Sequence, residues 1–407
     1  MTHPHPDLRG HAEHGLMQGF PPPPDKRVTA ENGLWGVPHN RWSYQNMRRL
    51  LPSAPIVGLP AAASMPRRPV AGIDDVVVRR EDGSPADIAT FLAETFTDSM
   101  VVVRGDEIVW ERHLNGMTAA TPHQMMSCTK SFIGLFALVA ANDGVLAEDD
   151  LVTATLPELA GSAFATASLG QVLDMTNSVH FNEDYDDPAA HIHEYAGLIG
   201  LGPGHSDAAD DIPAFLATLQ PEPGLGHDEV FHYQTPKTDV VGWVTSRATG
   251  RSLFATFDTL WSAVGAGCDS YLLVDRIGTP IAGGGLNATP EDLARFVGAA
   301  LRPESPVAPA EVFERIERGG SKEAFLAGPD ALGCMADGAW SYRAQWWVRA
   351  TPGREAITAI GVNGQWIYLD RNRGVGIVKA SSQPAAVDPW YDDYTINAFD
   401  AVIDAVT

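Results

Sequence analysis

Ser127-Cys128-Thr129-Lys130 is the sharpest chemical feature of the sequence. A helix begins here, because Phe132, Leu135, Phe136 and Val139 fall at i, i+3, i+4 and i+7 and Asn142-Asp143-Gly144 closes the run. Three residues make most of one helical turn, so Ser127 and Lys130 project from the same face. Burial and the positive end of the helix dipole both disfavour a charged amine at that place. The free amine that results can take the Ser127 proton. The helix start also presents the Ser127 backbone N–H to a developing oxyanion. Cys128 points about 100° further round the helix, into packing, and reads as a small core residue.

Two further segments could complete such a site. Phe231-His232-Tyr233-Gln234-Thr235 precedes the apolar stretch Val240-Val241-Gly242-Trp243-Val244. A Tyr at a loop–helix junction can relay a proton between a serine oxygen, a lysine amine and a leaving group. Taken by itself it is a core tyrosine with a satisfied hydroxyl. Gly361-Val362-Asn363-Gly364-Gln365 interrupts a strand pattern. Glycines there mark close approach of a ligand or a backbone, and a strand edge offers a second oxyanion N–H; a β-bulge fits the spacing equally well. His3-Pro4-His5, His11-Ala12-Glu13-His14 and His191-Ile192-His193-Glu194 lack a coherent second half, so no metal is expected. Gly-x-Ser-x-Gly is absent.

The elements that must position these residues are legible in outline. Asp87 to Phe96 has helical spacing. Met100 to Val103 and Ile108 to Trp110 flank Arg104-Gly105-Asp106-Glu107 as strand, turn, strand. Short helices at Leu156 to Leu159, Leu169 to Met175 and Ile212 to Leu219 are separated by polar loops. Strands return at Ile357 to Val362, Trp366 to Leu369 and Val375 to Lys379, before a final helix with Ile396, Phe399, Val402, Ile403 and Val406 on one side. The fold class expected is α/β (α+β), with a central antiparallel sheet assembled from both chain ends, flanked by helices. The division expected is a disordered tail or surface arm over 1–28, an α/β domain from 29–145 and 241–407, and an inserted, mainly helical lobe over 146–240. The cleft lies between them. Pro21 to Pro24 and Leu59-Pro60 break regular structure near the start, where Trp35, Trp42 and Tyr44 are candidate anchors.

Composition removes several function classes. Among 407 residues, 28 Lys+Arg face 51 Asp+Glu, a formal charge of −23. That surplus repels the phosphates of a nucleic acid. Cys128, Cys268 and Cys334 cannot form a disulfide framework. The longest apolar run, Phe132 to Ala141, is half a membrane span, and Met1 to Gly19 has no apolar signal core. A soluble, cytoplasmic globular protein is expected, with no membrane partner.

The order Ser-x-x-Lys, then Tyr, then a late Gly-containing strand resembles the class C β-lactamase and penicillin-recognising serine hydrolase superfamily, in which S-x-x-K carries the nucleophile. The chain is more closely similar to the 6-aminohexanoate-dimer (nylon-oligomer) hydrolases and their esterase relatives. The likeness extends through Pro38-His39-Asn40-Arg41-Trp42, Met126 to Ser131, Gln171 to Met175, Asn182-Glu183-Asp184-Tyr185 with Asp187-Pro188, Thr238-Asp239-Val240, Asp292 to Arg295 and Gln345-Trp346-Trp347. It implies a β-lactamase/transpeptidase-like fold, Ser127 as nucleophile, Lys130 as general base and Tyr233 as proton relay. It further implies an oxyanion hole from the N–H groups of Ser127 and Val362. Tyr185 matches a loop tyrosine that closes over the substrate and hydrogen-bonds the scissile amide. No cofactor is implied, and relatives suggest a homodimer.

Departures from the pattern shape the substrate expectation. Asn363 stands where many relatives have His and is expected to contact substrate. Ala359-Ile360-Gly361 replaces Lys-Thr-Gly, so a penicillin carboxylate lacks its cationic partner, and Thr235 replaces an Asn. Gly283 in Gly283-Gly284-Gly285 is expected to leave room for a bulky or extended substrate. The acidic run Glu183 to Asp187, if near the cleft, favours substrates bearing an amine. The function expected is hydrolysis of amide or ester bonds in small linear substrates through an acyl-enzyme. A short-chain carboxylesterase and a non-hydrolytic penicillin-recognising binding protein are the alternatives.

Overall fold

The computed structural model describes residues 9–59, 62–201 and 209–407; His3, His5 and Pro60 lie outside them. Strands β1 (Thr97–Arg104) and β2 (Glu107–His113) are joined at Gly105-Asp106, where Gly105 takes a φ of 61°. Helix α1 (Cys128–Asn142), helix α2 (Thr235–Thr249) and helix α3 (Pro290–Ala300) follow. A meander of β3 (Trp340–Arg343), β4 (Trp346–Arg349), β5 (Ala356–Gly361), β6 (Gln365–Asp370) and β7 (Val375–Ser381) leads into helix α4 (Pro389–Val406).

These strands form one seven-stranded antiparallel sheet in the order β2-β1-β7-β6-β5-β4-β3. The chain ends meet at β1 and β7, where Val101 lies opposite Val378 and Val102 opposite Ile377. The period of two divides each strand between two cores. Val101, Val103, Ile367 and Val378 face one core with Phe132 of α1 and Val297 of α3. Met100, Val102, Trp366 and Ile377 face the other with Phe399 and Val402 of α4. Helices on both faces explain why Met100 to Val103 reads as an unbroken apolar run rather than an alternating one. A second sheet, in the order Ser53–Ile56, Ser270–Leu273, Leu286–Ala288, His123–Gln124, had no sequence signature, because its strands are two to four residues long and pair over long range.

Two expectations change, at α2 and at α1. The boundary drawn between residues 240 and 241 falls inside α2, which runs unbroken from Pro236 in its first turn to Gly250 in the left-handed cap conformation. Residues 9–28 lie as an arm that continues through Leu34 and Trp35: Leu16 and Val28 are buried in a cluster with Trp42, and the His11 N–H donates to Asn115 Oδ1 at 2.8 Å. Helix α1, whose i, i+3, i+4, i+7 spacing predicts one apolar face, is buried almost all round. It runs between the large sheet and α2, so its small and polar residues are also enclosed. Ser131 Oγ donates to the Gln345 carbonyl at 2.7 Å, and a Cβ added to Gly134 would lie 2.0 Å from the Ala344 carbonyl oxygen. No helix among the described residues is long and apolar enough to cross a membrane.

That approach at Gly134 sets how closely α1 sits against the β3–β4 turn. Gly134→Ala should destabilise the protein by about 1–3 kcal/mol or more through overpacking, read as a lower denaturation midpoint. An unchanged midpoint would show that the turn yields freely.

Candidate active site

Ser127 opens α1 and is held by its neighbours on three sides. Met126 before it has a φ of 46°, a left-handed conformation that is costly for a residue with a long side chain. Two hydrogen bonds fix that turn: Met125 N–H donates to the Leu286 carbonyl at 2.9 Å, and Thr129 Oγ1 donates to the Met126 carbonyl at 2.6 Å. The end of β5 presses from the other side. A Cβ on Gly361 would stand 2.6 Å from the Met125 oxygen and 3.0 Å from the Ser127 nitrogen, so only glycine admits this contact.

Lys130, 1% exposed, extends back over the same helix face. Its Nζ meets Ser127 Oγ at 2.7 Å, Thr235 Oγ1 at 3.0 Å and the Gly283 carbonyl at 2.6 Å. Burial lowers its pKa to about 8, against the opposing pull of Glu183 and Asp239. As an ammonium it has three hydrogens for three acceptors. As a free amine it has a lone pair that needs a hydrogen in return. The Gly283 carbonyl has none, and the Thr235 hydroxyl donates its own to Glu183 Oε1 at 2.6 Å. Ser127 is therefore the neighbour with a hydrogen to give. The network itself directs the lone pair toward the serine oxygen.

Glu183, read from the sequence only as one acid of the run Glu183 to Asp187, is bonded directly into the site. Its carboxylate accepts from the Thr235 N–H at 2.5 Å and from Tyr185 Oη at 2.8 Å, besides the Thr235 hydroxyl. Asp184 and Asn182, by contrast, are spent on turns within the same loop. Asp239 was also missed. Its Oδ1 accepts from the N–H groups of Ala282 and Gly283, at 2.9 and 3.3 Å, and Oδ2 from Tyr195 Oη at 2.8 Å. This turns the Gly283 carbonyl toward Lys130. Burial pushes the Asp239 carboxyl up to about 7. Neither carboxylate has a local signal for this role, because Thr235, Tyr195 and Gly283 lie far along the chain from them.

Tyr233 stands over this pair. The Lys130 nitrogen lies 4.9 Å from its ring centroid, and Tyr233 lines one chamber together with Ser127. Trp347 lies against the ring at 5.4 Å, and Asp330 Oδ2 accepts from its backbone N–H at 2.7 Å. Burial raises the phenol well above its ordinary pKa, so it stays protonated and can give up a proton only in exchange for another.

Two chambers open on Ser127, and Tyr185 and Val362 line both. One, about 70 Å³, has Leu34, Trp35, Ile192, Ile199 and Leu273 in its wall and no charged side chain among the described residues. The other, about 120 Å³, adds Tyr233 and Trp347 and contains Glu183, Asp330, Asp388 and Asp392, with no Lys, Arg or His among the described residues. Trp35 of the arm lies 5.1 Å from the Tyr185 ring. A larger cavity of about 500 Å³, by Arg41, Phe96 and Trp110, lies away from Ser127.

One expected substrate contact is placed differently. Asn363 lines neither chamber: it is 1% exposed, its Oδ1 accepts from Tyr44 Oη at 2.8 Å and its Nδ2 donates to the Gln383 carbonyl at 2.8 Å. With a φ of 59°, followed by Gly364 at 87°, it is a turn residue between β5 and β6, and Asn-Gly is the sequence signature of such a turn. Gly283 lines the apolar chamber, and its smallness also serves packing. A Cβ there would fall 2.4 Å from Thr235 Cγ2. Cys128 is fully buried, with Sγ 3.5 Å from the Ala359 carbonyl. His191 accepts from the Asn182 N–H at 2.9 Å, and no group of three metal-ligating side chains occurs among the described residues.

Comparison with known proteins follows the geometry. A family model described as Beta-lactamase matches residues 87–401. The 6-aminohexanoate-dimer hydrolase of Paenarthrobacter ureafaciens is 33% identical over 353 residues, 86% of each chain. A solved structure from Bacillus anthracis, provisionally designated a 6-aminohexanoate-dimer hydrolase, superposes with a TM-score of 0.81 at 27% identity, covering 92% of this chain and 96% of its own. The unliganded simvastatin synthase of Aspergillus terreus, at 13% identity and a TM-score of 0.57 over 78% of this chain and 98% of its own, shares the fold.

The Lys130 amine accepts a proton only after losing its own. Hydrolysis of p-nitrophenyl butyrate should therefore rise with pH through about 8, read as kcat/KM. Because the Glu183 charge holds that value up, Glu183→Gln should move the rising limb to lower pH. A limb that does not move would remove Glu183 from the electrostatics of the base.

Proposed function

This chain belongs to the Beta-lactamase family and is a serine hydrolase, and we propose that Ser127 is its nucleophile, Lys130 its base and Tyr233 its proton relay. The observation that carries the assignment is the buried Lys130 amine 2.7 Å from Ser127 Oγ, with no other hydrogen donor facing its lone pair. The neutral amine takes the serine proton as Oγ attacks an amide or ester carbonyl. The N–H groups of Ser127 and Val362, on the two elements that meet at Gly361, receive the oxyanion. Tyr233 passes a proton to the departing nitrogen or oxygen, and water then releases the acyl group by the reverse route.

The substrate in this reading is a small linear amide or ester, of the size class of the 6-aminohexanoate dimer named in its relative. The modest chambers on either side of Ser127, about 70 and 120 Å³, support a short chain on each side of the scissile bond. Tyr185, partly buried between the chambers and bonded to Glu183, is suited to closing over that bond. Residues 146–240 supply Glu183, Tyr185 and Tyr233, and the remainder supplies Ser127, Lys130 and Val362. The site thus sits where the proposed lobe meets the α/β domain.

A carboxylesterase is the second reading, favoured by the wholly uncharged lining of the chamber around Leu34 and Ile199. Ser127→Ala should reduce ester turnover by about a thousandfold or more while leaving the circular dichroism spectrum unchanged; retained turnover would overturn the site. Assayed side by side, cleavage of the 6-aminohexanoate dimer together with a butyrate ester supports the amidase. Ester cleavage alone selects the esterase.

A further inference from the structure

The two chambers differ in charge, and Tyr233 identifies which half of a substrate enters each. Tyr233 lines the acidic chamber and not the apolar one. A phenol that protonates the departing atom must lie beside it, so the leaving half occupies the acidic chamber and the acyl half the apolar one.

The carboxylates there are unequally engaged. Glu183 is held by Thr235 and Tyr185, Asp330 by the Tyr233 N–H, and Asp388 accepts from the Trp390 N–H at 3.0 Å as the cap of α4. The Asp392 carboxylate, one turn into α4, accepts no hydrogen bond from the described residues. Gln383 lines the same chamber, is 3% exposed, and its Nε2 is buried without a partner. No hydrogen bond among the described residues fixes which end of that amide faces inward, so turning it to present Oε1 breaks nothing. Buried polar groups are almost always satisfied, and the unpartnered Gln383 amide, beside the half-buried and unbonded Asp392 carboxylate, marks the place of a missing partner. Lys237 and Lys379 are the cations closest in effect to Asp330 and Asp392, but neither lines the chamber.

We propose that the leaving half of the substrate ends in a primary ammonium received by Asp392, Asp330 and Gln383, so that the substrate class is the short-chain N-acyl diamines. The inference rests on the Ser127–Tyr233 reading above. Ser127 Oγ forms a bond to the acyl carbon as the carbon–nitrogen bond breaks, and the departing nitrogen takes a proton through Tyr233. Water then divides the acyl-enzyme into a carboxylate and free Ser127. The net change is one acyl-diamine cation and one water giving one carboxylate and one doubly protonated diamine. A dimer of an ω-amino acid has the opposite polarity, with its ammonium on the acyl half and its carboxylate on the leaving half.

Calorimetric titration of the full-length Ser127→Ala protein, which cannot turn the probes over, separates these cases. The probes are N-butyrylcadaverine, neutral N-butyrylpentylamine and the butyryl amide of ω-aminohexanoic acid. N-butyrylcadaverine should bind about tenfold or more tighter than the neutral amide, and the carboxylate should bind more weakly than both. In Ser127→Ala combined with Asp392→Asn, the ratio of the first two should fall at least several-fold, a comparison within one preparation. Equal affinities, a preference for the carboxylate, or a ratio indifferent to Asp392 would overturn the proposal. Failure of the underlying reading shows separately, as ester turnover that survives Ser127→Ala.

Discussion

Everything in the site depends on a lysine amine held out of water. A charge without solvent is expensive to bury, and Lys130 is tolerated because three oxygens from three parts of the chain surround it. Ser127 comes from the start of α1, Thr235 from the start of α2, and Gly283 from a loop that Asp239 holds from behind. None of these contacts exists unless α1 and α2 lie side by side between the sheet and the helices around them. The long-range pairing of β1 with β7 completes the sheet on which α1 rests. The fold and the lowered pKa are thus two descriptions of one arrangement.

The elements that were legible in the sequence are those set by local rules. Ser127 and Lys130 announce themselves because their spacing is a property of one helix. β1, β2 and the last three strands announce themselves by composition and turn residues. What escaped was set by partners distant along the chain. Glu183 looks like one more acid in an acidic loop until Thr235, 52 residues on, is seen to donate to it twice. Gly134 needed no comment as a helix residue, and only the Ala344 carbonyl gives it meaning. Asn363 is a different kind of miss. Its family counterpart invited a substrate role, while the Asn-Gly turn signature that explains it was already in the sequence.

The surplus of 23 negative charges also takes on a local meaning. Many acids are surface groups paired with arginines, such as Asp404 with Arg354 and Arg373. Those in the chamber beside Tyr233 are different, because burial raises both Asp330 and Asp392 to about 7. Carboxyls raised in this way hold their protons more tightly, and an incoming cation would draw those protons off. The charge is held in reserve rather than fixed.

The wall of the apolar chamber has a mixed origin. Leu34 and Trp35 come from the arm, whereas the groups that move protons come from α1, α2 and the segments ahead of it. No hydrogen bond of the Lys130 network passes through the arm. The chamber can therefore be reshaped by replacing residues that carry no chemistry. In evolutionary terms this makes the arm an adjustable part, open to new acyl groups by drift or by design while the reaction centre stays constant.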